Sequence, residues 1–174
     1  MSSFLEILIQ TIIIYFPAMA SNGAPVLVVK GTPIDKGRFF IDNKRIFGDG
    51  KTIEGSILFL LVGLAIGSIY ASYTLNSYFY YYGFLSGLGA FLGDLVGAFI
   101  KRRLGISRGD PAPLLDQTLF LVFATLIIKL SRADELVHLF INIETYVTGI
   151  MLTSILHIAT NYGAYKLRLK QVPY

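Results

Sequence analysis

Two carboxylates in apolar surroundings are the side chains of this sequence best suited to chemistry. Asp94 lies within one long apolar run and Asp116 at the start of the next, with basic residues between them at positions 101, 102, 103 and 108. Because an unpaired carboxylate in hydrocarbon costs several kcal/mol, both should face a wet cavity, a cation or basic partners. Carboxylate, water and phosphate oxygens are the ligands that Mg²⁺ prefers, and Lys or Arg beside them can hold a polyphosphate. This stretch is therefore a candidate site for a metal ion and phosphates.

Simpler interpretations compete with a binding site. A carboxylate can pair with a nearby Arg only to hold helices together, and a basic cluster can anchor a span to anionic lipid headgroups. Gly89, Gly93 and Gly97 recur every four residues, which allows close approach of either a neighbouring helix or a ligand. Helix packing is the commoner reason for that spacing.

A second candidate is the segment Gly50-Lys51-Thr52, which looks like the end of a phosphate-binding P-loop. That motif requires a glycine where Arg45 stands and a strand before it, so a P-loop NTPase is rejected. Thr52 remains a plausible N-cap for the apolar helix that follows. The free backbone N–H groups of that helix, together with Lys51, would form a seat for phosphate. A capped helix with a Lys reaching to the membrane surface is the alternative.

Hydropathy indicates which elements must position these residues. Of the 174 residues, 54% are hydrophobic and only 15% are charged, whereas about a quarter are charged in an ordinary soluble domain. The apolar residues fall in runs of about twenty, the length of a helix that crosses a bilayer. The pattern predicts an all-α, polytopic membrane protein with one domain, residues 1–174, and five transmembrane helices. The predicted spans are residues 4–29, 56–73, 78–100, 114–130 and 145–165.

The first run has distinctive features of its own. It lacks the Lys/Arg-rich start of a secretory signal, so it is interpreted as a retained span. Pro17 and the segment 21–25 should break or kink its later third.

The whole chain contains no Cys, which excludes disulfides, thiolate zinc sites and Cys nucleophiles.

The distribution of Lys and Arg predicts the orientation in the membrane. Thirteen basic residues fall in the first loop, the third loop and the C-terminal tail, against two, Lys129 and Arg132, in the segments on the other side. This split places the N-terminus outside and the C-terminus and active site on the cytoplasmic side of the cell membrane. The formal net charge of +4 is too small to argue for a nucleic-acid partner, and none is expected.

With this orientation the polar residues of the spans converge on the cytoplasmic leaflet. Asp94 lies six residues before Ile100, which places it about 9 Å below the cytoplasmic end of its helix. Asn22 lies late in the first span, and His157 and Asn161 are one turn apart on the last. For such isolated polar residues, hydrogen bonding between helices is commoner than catalysis.

Several motifs occur in order along the chain: residues 33–35, 45–55, 93–94, 101–103 and 113–117, followed by His157 and Asn161. With this combination the chain resembles the CDP-archaeol synthases. The chain is also distantly similar to the CDP-diacylglycerol synthases. The resemblance implies Mg²⁺-dependent transfer of a cytidylyl group from CTP to 2,3-bis-O-geranylgeranyl-sn-glycerol 1-phosphate, with release of pyrophosphate. The partners that it implies are CTP, this isoprenoid ether-lipid phosphate and membrane lipids.

The resemblance also implies roles for particular residues. Asp94 and Asp116 are predicted metal ligands and, with Lys101, catalytic residues. The predicted phosphate contacts are Lys51, Lys101, Arg102 and Arg103, and further substrate-binding residues are Asn22, Thr52, His157 and Asn161. The chain departs from the expected family pattern at Leu119, where relatives are expected to carry a second acidic residue.

The implied mechanism is in-line attack of the lipid phosphate oxygen on the α-phosphorus of CTP, catalysed mainly by charge neutralisation. CTP should be strongly preferred over ATP and GTP, whereas lipid selection should rest on the bulk of the isoprenoid chains. A small ion transporter with intramembrane carboxylates is the alternative function. A CDP-alcohol phosphotransferase is disfavoured because its Asp-Gly-x-x-Ala-Arg signature is absent from the sequence.

Overall fold

The computed structural model of the protein describes residues 3–107, 109–110, 112 and 115–166, and the side chains of residues 157, 160, 161 and 164 fall outside that description. Its elements are α1 (Phe4–Gly23), a 3-10 helix (Ala24–Leu27), α2 (Ile53–Thr74), α3 (Tyr78–Arg103), α4 (Leu115–Ser131), α5 (Ala133–Leu136) and α6 (Ile143–Lys166). The described residues contain no named β-strand, only two isolated bridges. The predicted all-helical class is confirmed.

Each predicted span corresponds to one long helix, with boundaries that differ by a few residues. Three segments are long and apolar enough to cross a membrane: Phe4–Leu27, Ile53–Thr74 and Tyr78–Arg103. The chain is therefore a membrane protein. Helices α4 and α6 do not meet the same criterion over their described residues, so the count of five spans stays a prediction.

The first two helices begin at side-chain caps. Ser3 and Glu6 form a reciprocal capping box at the start of α1, which satisfies backbone N–H groups that no helical carbonyl can reach. Thr52 Oγ1 accepts a hydrogen bond of 3.1 Å from Gly55 N at the start of α2. The prediction that Thr52 is an N-cap is confirmed.

Helix α1 continues through Pro17 and ends at Gly23, inside the predicted breaking segment. Proline has no N–H, so the carbonyl one turn earlier loses its helical donor. Two tyrosines from neighbouring helices supply donors there: Tyr70 Oη donates to Ile13 O at 3.2 Å, and Tyr82 Oη to Ile14 O at 2.8 Å. These bonds explain why the helix tolerates Pro17 in an apolar environment, where a lone carbonyl is costly.

Glycines allow α2 and α3 to pack with their backbones in contact. A Cβ placed on Gly83 would fall on the carbonyl oxygen of Gly63 and lie 2.7 Å from Gly67 Cα. A Cβ on Gly63 would collide with the carbonyl oxygen of Gly83. Close approach of this kind is typical of membrane helices, which pack without a hydrophobic driving force between them.

The glycines at positions 89, 93 and 97 face α4. A Cβ on Gly89 would collide with Ala124 Cα, and one on Gly93 with the carbonyl oxygen of Leu119. At Gly97 the nearest atom would be Leu119 Cδ1 at 3.5 Å. Helix packing, the commoner interpretation of this spacing, therefore accounts for the stripe. Helix α3 is consequently held between α2 on one side and α4 on the other, and α1 packs across all three.

Candidate active site

The segment between α1 and α2 folds back on itself and delivers Lys51 to the start of α2. Ile53 N donates to Thr32 O, and Ile34 N donates to Lys51 O, each at 2.9 Å. A second pairing within the loop joins Phe39 and Arg45. These bonds hold residues 32–34 antiparallel to residues 51–53, so the loop is ordered next to the membrane-embedded helices.

The organising residue of this loop is Asp35, which sequence analysis noted only as part of a motif. Its fully buried carboxylate pairs with Arg45 Nη2 at 2.6 Å and accepts hydrogen bonds from Gly48 N at 2.9 Å, Phe47 N at 3.0 Å and Gly37 N at 3.1 Å. Burial alone would raise its pKa, but the hydrogen bonds from Arg45 and these N–H groups hold the pKa well below its usual range. Asp35 therefore stays ionised inside the loop.

Lys51 reaches across to α3. Its Nζ lies 2.7 Å from Oδ1 and 2.6 Å from Oδ2 of Asp94. About a quarter of each side chain is exposed, 24% for Lys51 and 25% for Asp94. The sequence predicted that Asp94 would face a cavity, a cation or a basic side chain, and in the structure it pairs with the basic side chain of Lys51.

A small cavity opens beside this ion pair. It is lined by residues from the 3-10 helix, the loop, α2 and α3: Pro25, Ile34, Gly50, Lys51, Thr52, Gly55, Ser56, Phe59, Phe91 and Asp94. Its lining includes the charged Lys51 and Asp94 as well as apolar side chains. A second, wider groove shares Pro25, Gly50 and Thr52 with it and continues along the 3-10 helix.

The second carboxylate is held in the same way by a lysine from α3. Lys101 Nζ lies 2.6 Å from Asp116 Oδ1, and Asp116 Oδ2 accepts a hydrogen bond of 3.1 Å from Ala112 N. The side chains are 16% and 25% exposed. Both candidate metal ligands are thus partly open carboxylates whose charge is balanced by a single ammonium group.

The two arginines that follow Lys101 differ in their contacts. Arg103 anchors the loop to α3: its Nε lies 2.8 Å from Asp42 Oδ2, one Nη donates to Lys44 O at 3.2 Å, and the guanidinium stacks over Phe40 and Phe99. Arg102 packs beside Gly48, and its Nε is buried with no hydrogen-bond partner among the described residues. Two buried nitrogens of Arg103, Nε and Nη1, also have no hydrogen-bond partner among the described residues, so both arginines retain donor capacity.

The structure gives less information on the three remaining predicted substrate residues. Asn22 lies in the last turn of α1, half-buried, and is not among the described residues that line the small cavity. His157 and Asn161 lie in the backbone of α6, and their side chains fall outside the described part of the chain. Their roles stay predictions.

The donor set restricts which metal the site could hold. The described residues contain no group of three or more His, Cys, Asp or Glu side chains that could hold a metal ion. Mg²⁺ does not need such a cage, because it is usually bound through one or two carboxylates together with water and substrate phosphates. Asp94 and Asp116 therefore fit Mg²⁺ that arrives with a phosphate ligand, and do not fit a closed structural metal site.

Comparison with known sequences relates this chain to one family of lipid enzymes. The CarS-like family model, described as CDP-archaeol synthase, matches residues 4–174. The CDP-archaeol synthase of Sulfurisphaera tokodaii is 42% identical over 166 residues, which cover 95% of this chain and 96% of that protein. The CDP-archaeol synthase of Saccharolobus solfataricus is 44% identical over 172 residues, covering 96% of each.

Comparison with solved structures agrees. The chain superposes with a TM-score of 0.78 on an intramembrane enzyme for archaeal membrane lipids biosynthesis, at 35% sequence identity. The match covers 88% of this chain and 94% of that one. Fold and sequence therefore point to the same group of proteins.

Proposed function

The chain belongs to the CDP-archaeol synthase family, and on that basis we propose that it transfers a cytidylyl group from CTP to an isoprenoid ether-lipid phosphate. The proposed acceptor is 2,3-bis-O-geranylgeranyl-sn-glycerol 1-phosphate, and the products are unsaturated CDP-archaeol and pyrophosphate. The observation that carries the proposal is the pair of lysine-balanced carboxylates, Lys51 with Asp94 and Lys101 with Asp116, each at 2.6 Å.

The proposed reaction is in-line attack of the lipid phosphate oxygen on the α-phosphorus of CTP. Because both reactants are anions, the protein must chiefly neutralise charge and align the two phosphates. A phosphate monoester is already ionised near neutral pH, so no side chain needs to act as a general base. This matches a site made of lysines, arginines and carboxylates.

Asp94 and Asp116 are the proposed ligands of Mg²⁺. When bound, Mg²⁺ supplies Lewis-acid stabilisation of the charge on the transferred and leaving phosphate oxygens. With the carboxylates on the metal ion, Lys51 and Lys101 would be able to bind phosphate oxygens instead. Arg102 brings a buried Nε without a partner among the described residues, which suits it to a phosphate oxygen. Arg103 contributes by holding the loop on α3.

The isoprenoid chains of the proposed acceptor limit the route by which it can reach the site. The isoprenoid chains must remain in the bilayer while the lipid phosphate reaches Asp94, so the lipid must enter sideways. The wider groove beside the cavity is partly apolar, with Val26 83% exposed and Val29 92% exposed. The two valines can contact the isoprenoid chains, while Lys30 and Asp49 in the same groove can contact polar parts of the substrates.

The product assay tests the proposed function directly. Purified protein supplied with labelled CTP, the lipid phosphate and Mg²⁺ is expected to form labelled CDP-lipid and pyrophosphate, and a chelator is expected to stop the reaction. A reaction mixture with ATP in place of CTP is the matched control. No CDP-lipid under these conditions, with ion movement along a gradient instead, would support the transporter alternative.

The orientation is proposed from the charge distribution and is tested by thiol labelling. The chain has no Cys, so a single introduced thiol reports one position. Ile41→Cys, at a 90% exposed loop residue, is expected to react with an impermeant reagent only after cells are permeabilised. Ser77→Cys, in the short connection between α2 and α3, is expected to react in intact cells. The reverse pattern would show that the active site faces outward.

A further inference from the structure

We infer that Asp35 is a positioning residue for nucleotide binding, which it serves by clamping the turn that carries Lys51; this inference rests on the proposed function. The carboxylate does not face the cavity. The side chain of Asp35 is 0% exposed, and its oxygens are already occupied by donors of the protein. Asp35 therefore acts on a substrate only through other residues.

The turn that carries Lys51 is held at both of its ends by two consecutive residues. At its start, Asp35 Oδ2 accepts a hydrogen bond of 2.9 Å from Gly48 N. At its end, Ile34 N donates to Lys51 O at 2.9 Å. Within the turn, Lys51 N donates to Gly48 O at 3.3 Å. Residues 48–51 therefore cannot shift unless the clamp of Ile34 and Asp35 opens.

The same clamp sets the position of a second cationic group. Gly48 has a φ of +88°, a backbone conformation that L side chains rarely adopt, and it packs against Arg102. A Cβ at Gly48 would lie 3.7 Å from both Cδ and Nη1 of Arg102. Because Asp35 fixes Gly48, it fixes the surface on which Arg102 rests. One buried carboxylate thus holds the turn that carries Lys51 and packs against Arg102.

The charge of Asp35 is essential to this arrangement. All of its observed partners are donors: the guanidinium of Arg45 and the N–H groups of Gly37, Phe47 and Gly48. An amide at this position would turn an –NH₂ group toward one set of donors and leave buried donors without an acceptor. Asp35→Asn is therefore expected to loosen the turn while keeping the volume of the side chain.

The experiment compares the kinetics of Asp35→Asn with those of a matched variant. In Asp35→Asn, kcat/KM for CTP is expected to fall roughly tenfold to a hundredfold, as a misplacement of about 1 Å can do, while KM for the lipid phosphate stays unchanged. Glu6→Gln is the control, because Glu6 also accepts a backbone hydrogen bond, from Ser3 N at 2.9 Å, but lies in the first turn of α1 and outside the bonds that hold residues 48–51. The kcat/KM of this control for CTP is expected to equal that of the parent chain.

A double variant separates positioning from general destabilisation. If Asp35 acts through Lys51 and Arg102, adding Asp35→Asn to Lys51→Met should lower kcat/KM for CTP by a smaller factor than Asp35→Asn lowers it in the parent chain, because coupled residues are not additive. Fully additive losses would overturn the inference. Arg45→Lys keeps the charge and weakens the clamp, so it is expected to fall between the parent and Asp35→Asn even if Asp35→Asn does not fold.

Hydrogen exchange gives a readout that does not depend on turnover. The amides of residues 48 and 51 are expected to exchange at least tenfold faster in Asp35→Asn, or in Arg45→Lys, than in Glu6→Gln. Unchanged exchange would overturn the clamp whether or not the protein makes CDP-lipid. Faster exchange with no CDP-lipid from the parent chain would instead overturn the proposed function alone.

Discussion

Asp94→Asn is expected to give a folded protein that forms CDP-lipid about a thousandfold more slowly than the parent chain, a loss of roughly 4 kcal/mol of transition-state stabilisation. The amide keeps the shape of the carboxylate but lacks the charge proposed to bind Mg²⁺. It also loses the ion pair with Lys51 Nζ, which now lies 2.6 Å away. Initial rates with labelled CTP measure the effect.

Stability should change little in the same variant. The two partners are 24% and 25% exposed, and ion pairs that water can reach contribute at most about 1 kcal/mol. The detergent-solubilised variant is therefore expected to melt close to the parent chain. Glu135→Gln, which removes a carboxylate from α5, is the matched control with parental activity. Near-normal turnover by folded Asp94→Asn would remove Asp94 from the metal site.

Gly83→Ala is expected to destabilise the protein by about 1–3 kcal/mol, the cost of adding a methyl group where the core has no space. The new Cβ would fall on the carbonyl oxygen of Gly63 and lie 2.9 Å from Gly67 N. Because these contacts are backbone atoms, no side-chain rotation can relieve them, and α2 must move away from α3. Thermal unfolding of the purified protein in detergent measures the change.

Gly23→Ala is the matched control for that prediction. Gly23 ends α1 with a φ of −78°, and nothing lies within 4 Å of the position of its Cβ. The substitution should leave stability unchanged or raise it slightly, because alanine has less conformational freedom to lose than glycine. Equal destabilisation by both variants would show that close backbone contact between α2 and α3 is not what Gly83 provides.

The helices could be located from hydropathy because a membrane helix satisfies its own backbone hydrogen bonds and needs only an apolar exterior. The predicted span 78–100 and the observed helix Tyr78–Arg103 share their start and differ by three residues at their end. The capping role of Thr52 was also predictable, since a cap depends on residues close in sequence. The short α5 was not predicted, because four residues carry no recognisable periodicity.

The partners of the site residues were only partly predictable. The sequence indicated that Asp94 and Asp116 would need cations, because charge in an apolar run must be balanced. It did not indicate that Lys51 would balance Asp94, which is 43 residues away. It also did not indicate that Arg103 would hold the loop at Asp42 and Phe40. A contact of Arg103 with substrate stays a prediction.

What the sequence determined by itself is local: the apolar runs, the caps, the glycine spacing and the residue types able to hold a metal and phosphates. What only the tertiary structure decided is which of those residues meet. Asp35 illustrates the difference, because an Asp in a polar loop carries no signal of burial. Its burial follows from the folded loop, in which Arg45, Phe47 and Gly48 all donate hydrogen bonds to this one carboxylate. Hydropathy reports the environment of a helix over many residues, whereas a hydrogen-bonded loop depends on a few contacts between residues far apart in sequence.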